Sequence, residues 1–159
     1  MAWLPASPVG AKDAFEATRW AGPVGSFVLS DISGKTWQPA DLQGRAVLLN
    51  FWASWCEPCR AEMPTLQQVA DLYGPDKLLV LAINFKESAQ RVVQFAKTTG
   101  VTLPMLLDSN GKTAAQWGVK VFPTTLTITS KGKPAHRIKG EVDWTSPEST
   151  RLIEGLLKS

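Results

Sequence analysis

Residues 48–60 read LLNFWASWCEPCR, the stretch that decides the fold. An apolar and aromatic run ends there in two cysteines three positions apart, and the chain contains no others. Such a run is typical of a buried strand, and the strand would deliver both thiols to the start of a helix. At that place two thiols are held close enough to open and close as a disulfide.

Composition narrows the class of protein. The 159 residues are 44% hydrophobic and 19% charged, which favours one globular domain with a full-sized core. The net charge of +3 is spread along the chain without a basic block, so we expect no nucleic-acid partner. The longest apolar runs, residues 46–55 and 78–85, are shorter than the roughly 18 residues that a membrane helix needs. We therefore expect no membrane span in this chain.

The N-terminal region is punctuated by Pro and Gly. We interpret residues 1–24 as an irregular lead-in with one short helix around residues 13–20, and residues 25–159 as a single domain. The first residues lack the basic and apolar segments of a signal peptide. Two alternatives remain open: a cytosolic protein, or an exported protein whose export signal is absent from this sequence.

Strand and helix patterns alternate along the rest of the chain. We predict a hairpin at 27–37, buried strands at 46–52 and 78–85, a short strand at 105–107, a half-buried strand at 124–129 and a strand at 135–139. Helices are predicted from about 56 to 73, at 89–99, at 113–117 and from 147 onward. Parallel strands joined by helices require right-handed crossovers. The order therefore predicts an α/β fold whose mixed sheet is flanked by helices.

The chemistry of the thiols follows from the helix start. Unpaired N–H groups and the helix dipole favour an anion there, so the thiolate of Cys56 should be more stable than that of a free cysteine. Cys59, one turn in, should be more buried. We predict that Cys56 attacks a partner disulfide and that Cys59 resolves the mixed disulfide. Glu57 opposes ionisation of Cys56, which favours a reducing role because a less stabilised thiolate is a better reductant.

A Cys-x-x-Cys pair has two further uses. A zinc site usually takes four ligands, and only His136 remains as a soft partner. A purely structural disulfide that closes so short a loop adds little stability. We expect no metal site, and we interpret His136 as a surface residue rather than a catalytic base.

Two segments carry a family resemblance. Residues 47–64, VLLNFWASWCEPCRAEMP, and residues 118–125, GVKVFPTT, together resemble the thioredoxin superfamily and, within it, the TlpA/ResA-like extracytoplasmic thiol-disulfide oxidoreductases. The resemblance covers about residues 25–158. It implies a thioredoxin-like three-layer fold with an N-terminal hairpin and with an inserted helix and strand at residues 88–107.

The resemblance also implies the residues that surround the dithiol. Pro123 matches the family's cis-proline, which faces the sulfurs, and the backbone of Phe122 would pair with an extended partner segment. Together with Trp55 and Pro58 they should form an apolar rim around Cys56, where partner chains dock.

An acid near the dithiol is implied as well. Position 50, where plain thioredoxins carry a buried acid, is neutral Asn50. Glu87, which follows the next strand, is then a candidate proton acceptor for Cys59 or a brake on thiolate formation. The alternative for Glu87 is an acid at a helix N-terminus that the dipole stabilises.

The implied function is exchange of the Cys56–Cys59 dithiol and disulfide with the thiols and disulfides of partner proteins, in a periplasmic or other extracytoplasmic compartment. The favoured direction is reduction, for example of apocytochrome c, with electrons from a membrane donor protein and no cofactor beyond the redox-active disulfide. An oxidant that introduces disulfides stays open, as does a copper(I)-binding module with both thiols as ligands. A peroxidase of the peroxiredoxin type is disfavoured, because that class has a lone attacking cysteine in a Thr-x-x-Cys context and residue 53 is alanine.

Overall fold

The computed structural model describes residues 15–159, and a mixed sheet forms the centre of this part of the chain. The described strands, in the sheet and in a separate hairpin, are β1 Ala17–Arg19, β2 Leu29–Ser30, β3 Thr36–Trp37, β4 Ala46–Trp52, β5 Leu78–Phe85, β6 Met105–Asp108, β7 Thr124–Ile128 and β8 Pro134–Lys139. The described helices are α1 Glu57–Tyr73, α2 Ala89–Thr99, α3 Lys112–Gln116 and α4 Pro147–Lys158, with a 3₁₀ helix at Pro39–Leu42.

Six of these strands form one sheet in the order β1-β8-β7-β4-β5-β6. β4, β5 and β6 run parallel, while β7 pairs antiparallel with β4 and β8 pairs antiparallel with β7. β2 and β3 form the separate hairpin, and Ile32 in its turn donates a backbone hydrogen bond to Met105 of β6 at 3.0 Å. The central position of β4 places its C-terminal end, and the cysteines that follow, in the middle of the sheet edge.

Two apolar layers cover the two faces of the sheet, because successive side chains of a strand point to opposite faces. Leu48 and Trp52 of β4 belong to the core cluster that includes residues of α1, α2 and α4. Val47, Leu49 and Phe51 belong to the second cluster, formed with residues of the hairpin and α3. All seven residues of β4 are buried, as expected for a central strand with both faces covered.

Both ends of α1 have the residues that commonly begin and end helices. Cys56 is its N-cap, and Pro58 occupies the first turn, where the missing N–H is not needed. Met63, Leu66 and Val69 bury one side of the helix against the sheet. Gly74, at φ +79°, ends it with a backbone conformation that glycine adopts without strain.

The predicted fold class is confirmed, including the hairpin and the inserted α2 and β6. Along residues 15–159, no helix combines the length and apolar character needed to cross a bilayer.

The short helix expected around residues 13–20 is wrong where the structure describes it. Ala17–Arg19 is an edge strand that pairs antiparallel with β8, with Thr18 opposite Arg137. The unpaired backbone groups of β8 offer hydrogen bonds that a surface helix would leave unused. This strand lies within the expected irregular lead-in of residues 1–24, of which residues 1–14 lie outside the described part of the chain.

β7 also differs from expectation. Its alternation of Thr with Leu and Ile predicted a half-buried strand, but all five residues are buried. The polar side chains are accommodated by hydrogen bonds: Thr127 accepts one from the backbone N–H of His136 at 2.9 Å, and Thr125 accepts one from Asn50 at 3.0 Å. Satisfied hydroxyls can be buried on both faces of a central strand.

Candidate active site

Cys56 and Cys59 form a disulfide at the start of α1, with their Cα atoms 5.3 Å apart. β4 ends at Trp52, and a short turn carries the chain to Cys56, whose backbone N–H donates to the carbonyl of Ala53 at 3.2 Å. Cys56 then caps the helix. The predicted strand–turn–helix unit is present, and it holds both sulfurs within bonding distance.

The backbone of α1 is directed at the sulfur of Cys56. Its Sγ accepts a hydrogen bond from the N–H of Cys59 at 3.3 Å. Cys56 is 5% exposed and Cys59 is 1% exposed, in the order predicted for an attacking and a resolving cysteine. In the dithiol form, this N–H and the positive end of the helix dipole favour a thiolate on Cys56. Glu57 and Pro58 form the exposed first turn beside it.

An aromatic rim stands next to the disulfide. Trp55 is 64% exposed and meets Phe122 edge to face, with ring centroids 6.2 Å apart. Phe122 also packs against Phe85, at 4.7 Å between centroids. The structure thus brings together Trp55 and Phe122 as predicted, and it adds Phe85 at the end of β5, for which the sequence predicts only a place in a buried strand.

Pro123 lies opposite the end of β4. Thr124 pairs with Phe51 in the sheet, so Pro123 and Phe122 sit level with the last residues of β4, just before the cysteine turn. The Phe122–Pro123 peptide bond is cis. Pro123 is buried, and its carbonyl accepts a hydrogen bond from Gly140 at 2.8 Å.

Glu87 is tied to the turn that precedes Cys56. Its carboxylate accepts hydrogen bonds from the backbone N–H of Ser54 at 2.6 Å, from the Ser54 hydroxyl, and from the amide of Asn84 at 2.9 Å. Burial alone would raise the pKa of Glu87, but these hydrogen bonds and the Arg91 guanidinium at 3.8 Å outweigh it and hold the pKa below its ordinary value. Glu87 is therefore an ionised group that fixes the Ser54 backbone two residues before Cys56.

A second acid, which sequence reasoning missed, lies inside the protein. Glu62 is 1% exposed, and its carboxyl accepts hydrogen bonds from Asn50 at 2.5 Å and from the N–H of Val142 at 2.7 Å. Burial raises the pKa of Glu62 to about 8, although both hydrogen bonds act in the opposite direction. The carboxyl is thus mostly protonated at neutral pH, one helical turn after Cys59.

The burial of Glu62 can be predicted from its position in the sequence of α1. Residues three and four apart on a helix share a face. Cys59, Met63 and Leu66 define the buried face of α1, and Glu62 falls on it. An acid in an apolar stripe next to a reactive thiol is the pattern to look for.

His136 lies in β8, away from the cysteine turn. Its Nδ1 is 3.1 Å from the Thr127 hydroxyl, and partial burial lowers its pKa. It is half-buried rather than a simple surface residue. Within the described residues, no three His, Cys, Asp or Glu side chains are grouped to hold a metal ion.

A protein-family model matches most of the chain. It is described as the AhpC/TSA family and matches residues 21–137. This range contains the cysteine pair, both acids and the Phe122–Pro123 segment.

Curated relatives match the same region. The chain is 37% identical over 114 residues to the thiol-disulfide oxidoreductase ResA of Geobacillus thermodenitrificans, an alignment that covers 72% of this chain and 66% of that protein. It is 32% identical over 133 residues to the ResA of Bacillus anthracis, covering 84% of this chain and 73% of that protein. The chain thus spans slightly less than two thirds of the Geobacillus protein's length.

Solved structures share the fold over nearly the whole chain. The crystal structure of a DsbF homologue from Corynebacterium diphtheriae superposes with a TM-score of 0.72 at 31% sequence identity, and the match covers 98% of each chain. The likeness therefore includes the sheet, the inserted helix and strand, and the cysteine turn.

Proposed function

This chain belongs to the AhpC/TSA family and to the ResA-like thiol-disulfide oxidoreductases. We propose that Cys56 and Cys59 exchange electrons with disulfides of partner proteins. The observation that carries the proposal is the Cys56–Cys59 disulfide across the first turn of α1, with the N–H of Cys59 directed at the Sγ of Cys56. A structural disulfide at this place would close too short a loop to stabilise the fold much.

The exchange takes place in two displacements. In the dithiol form, the Cys56 thiolate attacks one sulfur of the partner disulfide and releases the other as a thiolate. The Cys59 thiolate then attacks the Cys56 sulfur, forms the Cys56–Cys59 disulfide and releases the second partner sulfur. Two electrons pass from this protein to its partner. The greater burial of Cys59 supports this order, because a partner disulfide reaches Cys56 first.

Cys59 must lose its proton before it can resolve the mixed disulfide. We assign Glu62, in the fraction of molecules whose carboxyl is ionised, as the group that takes this proton, since the two residues lie one turn apart on the buried face of α1. With a pKa of about 8, that ionised fraction is small at neutral pH and grows as the pH rises toward 8. With its pKa raised to about 8, Glu62 matches a thiol better than an ordinary carboxyl does. Glu87, whose pKa is lowered, acts instead as a positioning residue for the Ser54 backbone.

The partner docks on the apolar rim in this proposal. Trp55 is largely exposed, and Phe122 and Pro123 lie beside it at the start of β7. Pro58 extends the rim on the helix side of Cys56. An apolar surface accepts extended polypeptides without strict sequence demand, and in this proposal the Phe122 backbone pairs with the docked segment.

The favoured direction is reduction, in an extracytoplasmic compartment, with a membrane protein as the electron donor and the disulfides of apocytochrome c as one class of substrate. Glu57 supports the direction, because its negative charge beside Cys56 disfavours the thiolate and so strengthens the dithiol as a reductant. The compartment, donor and substrate rest on the resemblance to TlpA/ResA-like proteins.

The reduction potential tests the direction. Purified protein is equilibrated in glutathione or dithiothreitol buffers of known potential, quenched with acid and alkylated, and the two forms are counted by mass spectrometry. We expect a two-electron midpoint closer to the value of thioredoxin, about −270 mV, than to that of DsbA, about −120 mV. A midpoint at the DsbA end would reverse the assignment and make the protein an oxidant.

A further inference from the structure

An open trough lies between α1 and α2, beside the cysteine turn. A first section of about 530 Å³ is lined by residues that include Ser54, Arg60, Ser88, Arg91, Phe95 and Thr99. A second section of about 270 Å³ shares Arg60 and Thr99 with the first, so the two are continuous. The trough begins two residues before Cys56 and leads away from it between the two helices.

The floor of the trough is apolar, and its walls are polar. Phe95 packs on the fully buried Trp52, with ring centroids 4.6 Å apart, and so forms a rigid base. Gln90 and Gln94 of α2 stand along one side. Their amides can donate to and accept from a polypeptide backbone that lies over Phe95. This combination suits an extended peptide segment rather than a small apolar ligand.

The charge of the trough is positive. Arg60 and Arg91 both reach solvent, and the Arg91 side chain is 64% exposed. Glu87 forms an ion pair with Arg91 at 3.8 Å and offsets part of its charge, but the Glu87 side chain is only 7% exposed and also accepts from Ser54, so the solvent-facing charge is that of the two arginines. Among the described residues that line either section, none is acidic. α1 and α2 both begin at this end, so their dipoles add to the positive potential.

We propose that this trough binds an acidic segment of the partner polypeptide that flanks the disulfide under attack. The proposal rests on the proposed function, because a segment in the trough is brought to Cys56 only if its disulfide reacts there. The two arginines would pair with Asp or Glu side chains of the segment while Phe95 contacts one of its apolar residues. The trough then selects among partners, whereas the aromatic rim accepts them without regard to charge.

The test uses two synthetic peptides that each contain one intramolecular disulfide. One carries three Glu residues on each flank and the other carries Gln at the same positions. The reduced protein is mixed with each peptide, and formation of the Cys56–Cys59 disulfide is followed by quenched alkylation. Each turnover oxidises one protein dithiol and reduces one peptide disulfide to two thiols. The rate at which the Cys56–Cys59 disulfide forms therefore equals the rate at which the peptide is reduced.

We expect the Glu-flanked peptide to react about fivefold faster at low ionic strength, because exposed ion pairs act mainly on the association rate. The ratio should fall to near one in Arg60→Gln/Arg91→Gln and in about 0.5 M salt. Arg60→Lys/Arg91→Lys should retain most of it. Arg151→Gln, which removes an exposed arginine of α4 outside the trough lining, is the matched control and should keep the full ratio.

The outcomes separate the two proposals. If neither peptide is reduced, the proposed function is wrong. If both are reduced at the same rate by the unmodified protein, or if the preference survives in Arg60→Gln/Arg91→Gln, the trough does not bind the acidic flank. Because the Gln-flanked peptide reports any change in the intrinsic reactivity of Cys56, loss of the ratio cannot be attributed to a damaged dithiol.

Discussion

Glu62 and Glu87 are both glutamates near the cysteine turn, and their surroundings move their pKa values in opposite directions. Burial dominates for Glu62 and raises its pKa to about 8. Three hydrogen-bond donors from Ser54 and Asn84 dominate for Glu87 and lower its pKa. The deeper burial of Glu62, set against hydrogen bonds that lower the pKa of both carboxyls, thus separates the two glutamates.

The raised pKa of Glu62 makes stability depend on pH. Between the ordinary value of 4.5 and about 8, the folded protein holds a proton that the unfolded chain has lost. The contribution of Glu62 to the free energy of unfolding should therefore be largest below pH 4.5 and fall toward pH 8, by up to about 1.4 kcal/mol per pH unit. Glu62→Gln should remove that decline in urea unfolding measured from pH 4 to 9.

Glu154→Gln, at an exposed position of α4, serves as the control and should leave the decline in place. The same Glu62→Gln protein should resolve mixed disulfides at least tenfold more slowly near pH 7, since a general base contributes roughly 10² in rate. An unchanged pH dependence of both stability and rate would remove Glu62 from the mechanism.

Glu87 makes a different prediction. Glu87→Gln removes the charge that holds Ser54, and hydrogen bonds to charged groups contribute about 1.5–3 kcal/mol each. We expect a loss of about 2 kcal/mol in unfolding free energy and slower reaction of Cys56 with a peptide disulfide. Ser54→Ala, which removes only the hydroxyl contact, should give a smaller loss of both. If Glu87→Gln kept full stability and rate, the carboxylate would not be positioning the turn.

Helices and strands were predictable from the sequence where local signals agree with packing. Ser88 and Ser146 cap α2 and α4 through their side chains, and the predicted helix starts are confirmed. The bounds of β4 and β5 match the predicted apolar runs, because both strands are buried on both faces. β1 was not predictable, since three exposed residues become a strand only through the free edge of β8.

At the scale of an element, the cap of α4 should affect stability without affecting exchange. The Ser146 hydroxyl accepts from the N–H of Ser149 at 3.1 Å, so Ser146→Ala should cost about 1 kcal/mol of unfolding free energy. The rate of peptide disulfide reduction should not change, because α4 supplies none of the residues to which we assign a role in the exchange. A rate that fell in step with stability would show that α4 supports the site.

The whole molecule assembles the site from segments far apart in the sequence. The end of β4 and the start of α1 supply the cysteines, and the start of β7 supplies Phe122 and Pro123. The cysteines, Phe122 and Pro123 lie in two short sequence motifs, so they could be predicted from the sequence. The hydrogen bond from Val142 to the buried Glu62 carboxyl could not be predicted, because Val142 lies 80 positions away and reaches Glu62 only in the folded chain.

The most direct test detects the mixed disulfide between this protein and its partner. Cys59→Ser and Cys56→Ser proteins are each reduced, mixed with a disulfide peptide, quenched with acid and mapped by mass spectrometry. We predict that Cys59→Ser accumulates a mixed disulfide on Cys56 and that Cys56→Ser forms none and loses turnover. A mixed disulfide on Cys59 in the Cys56→Ser protein, or steady-state reduction by Cys59→Ser at the unmodified rate, would contradict it.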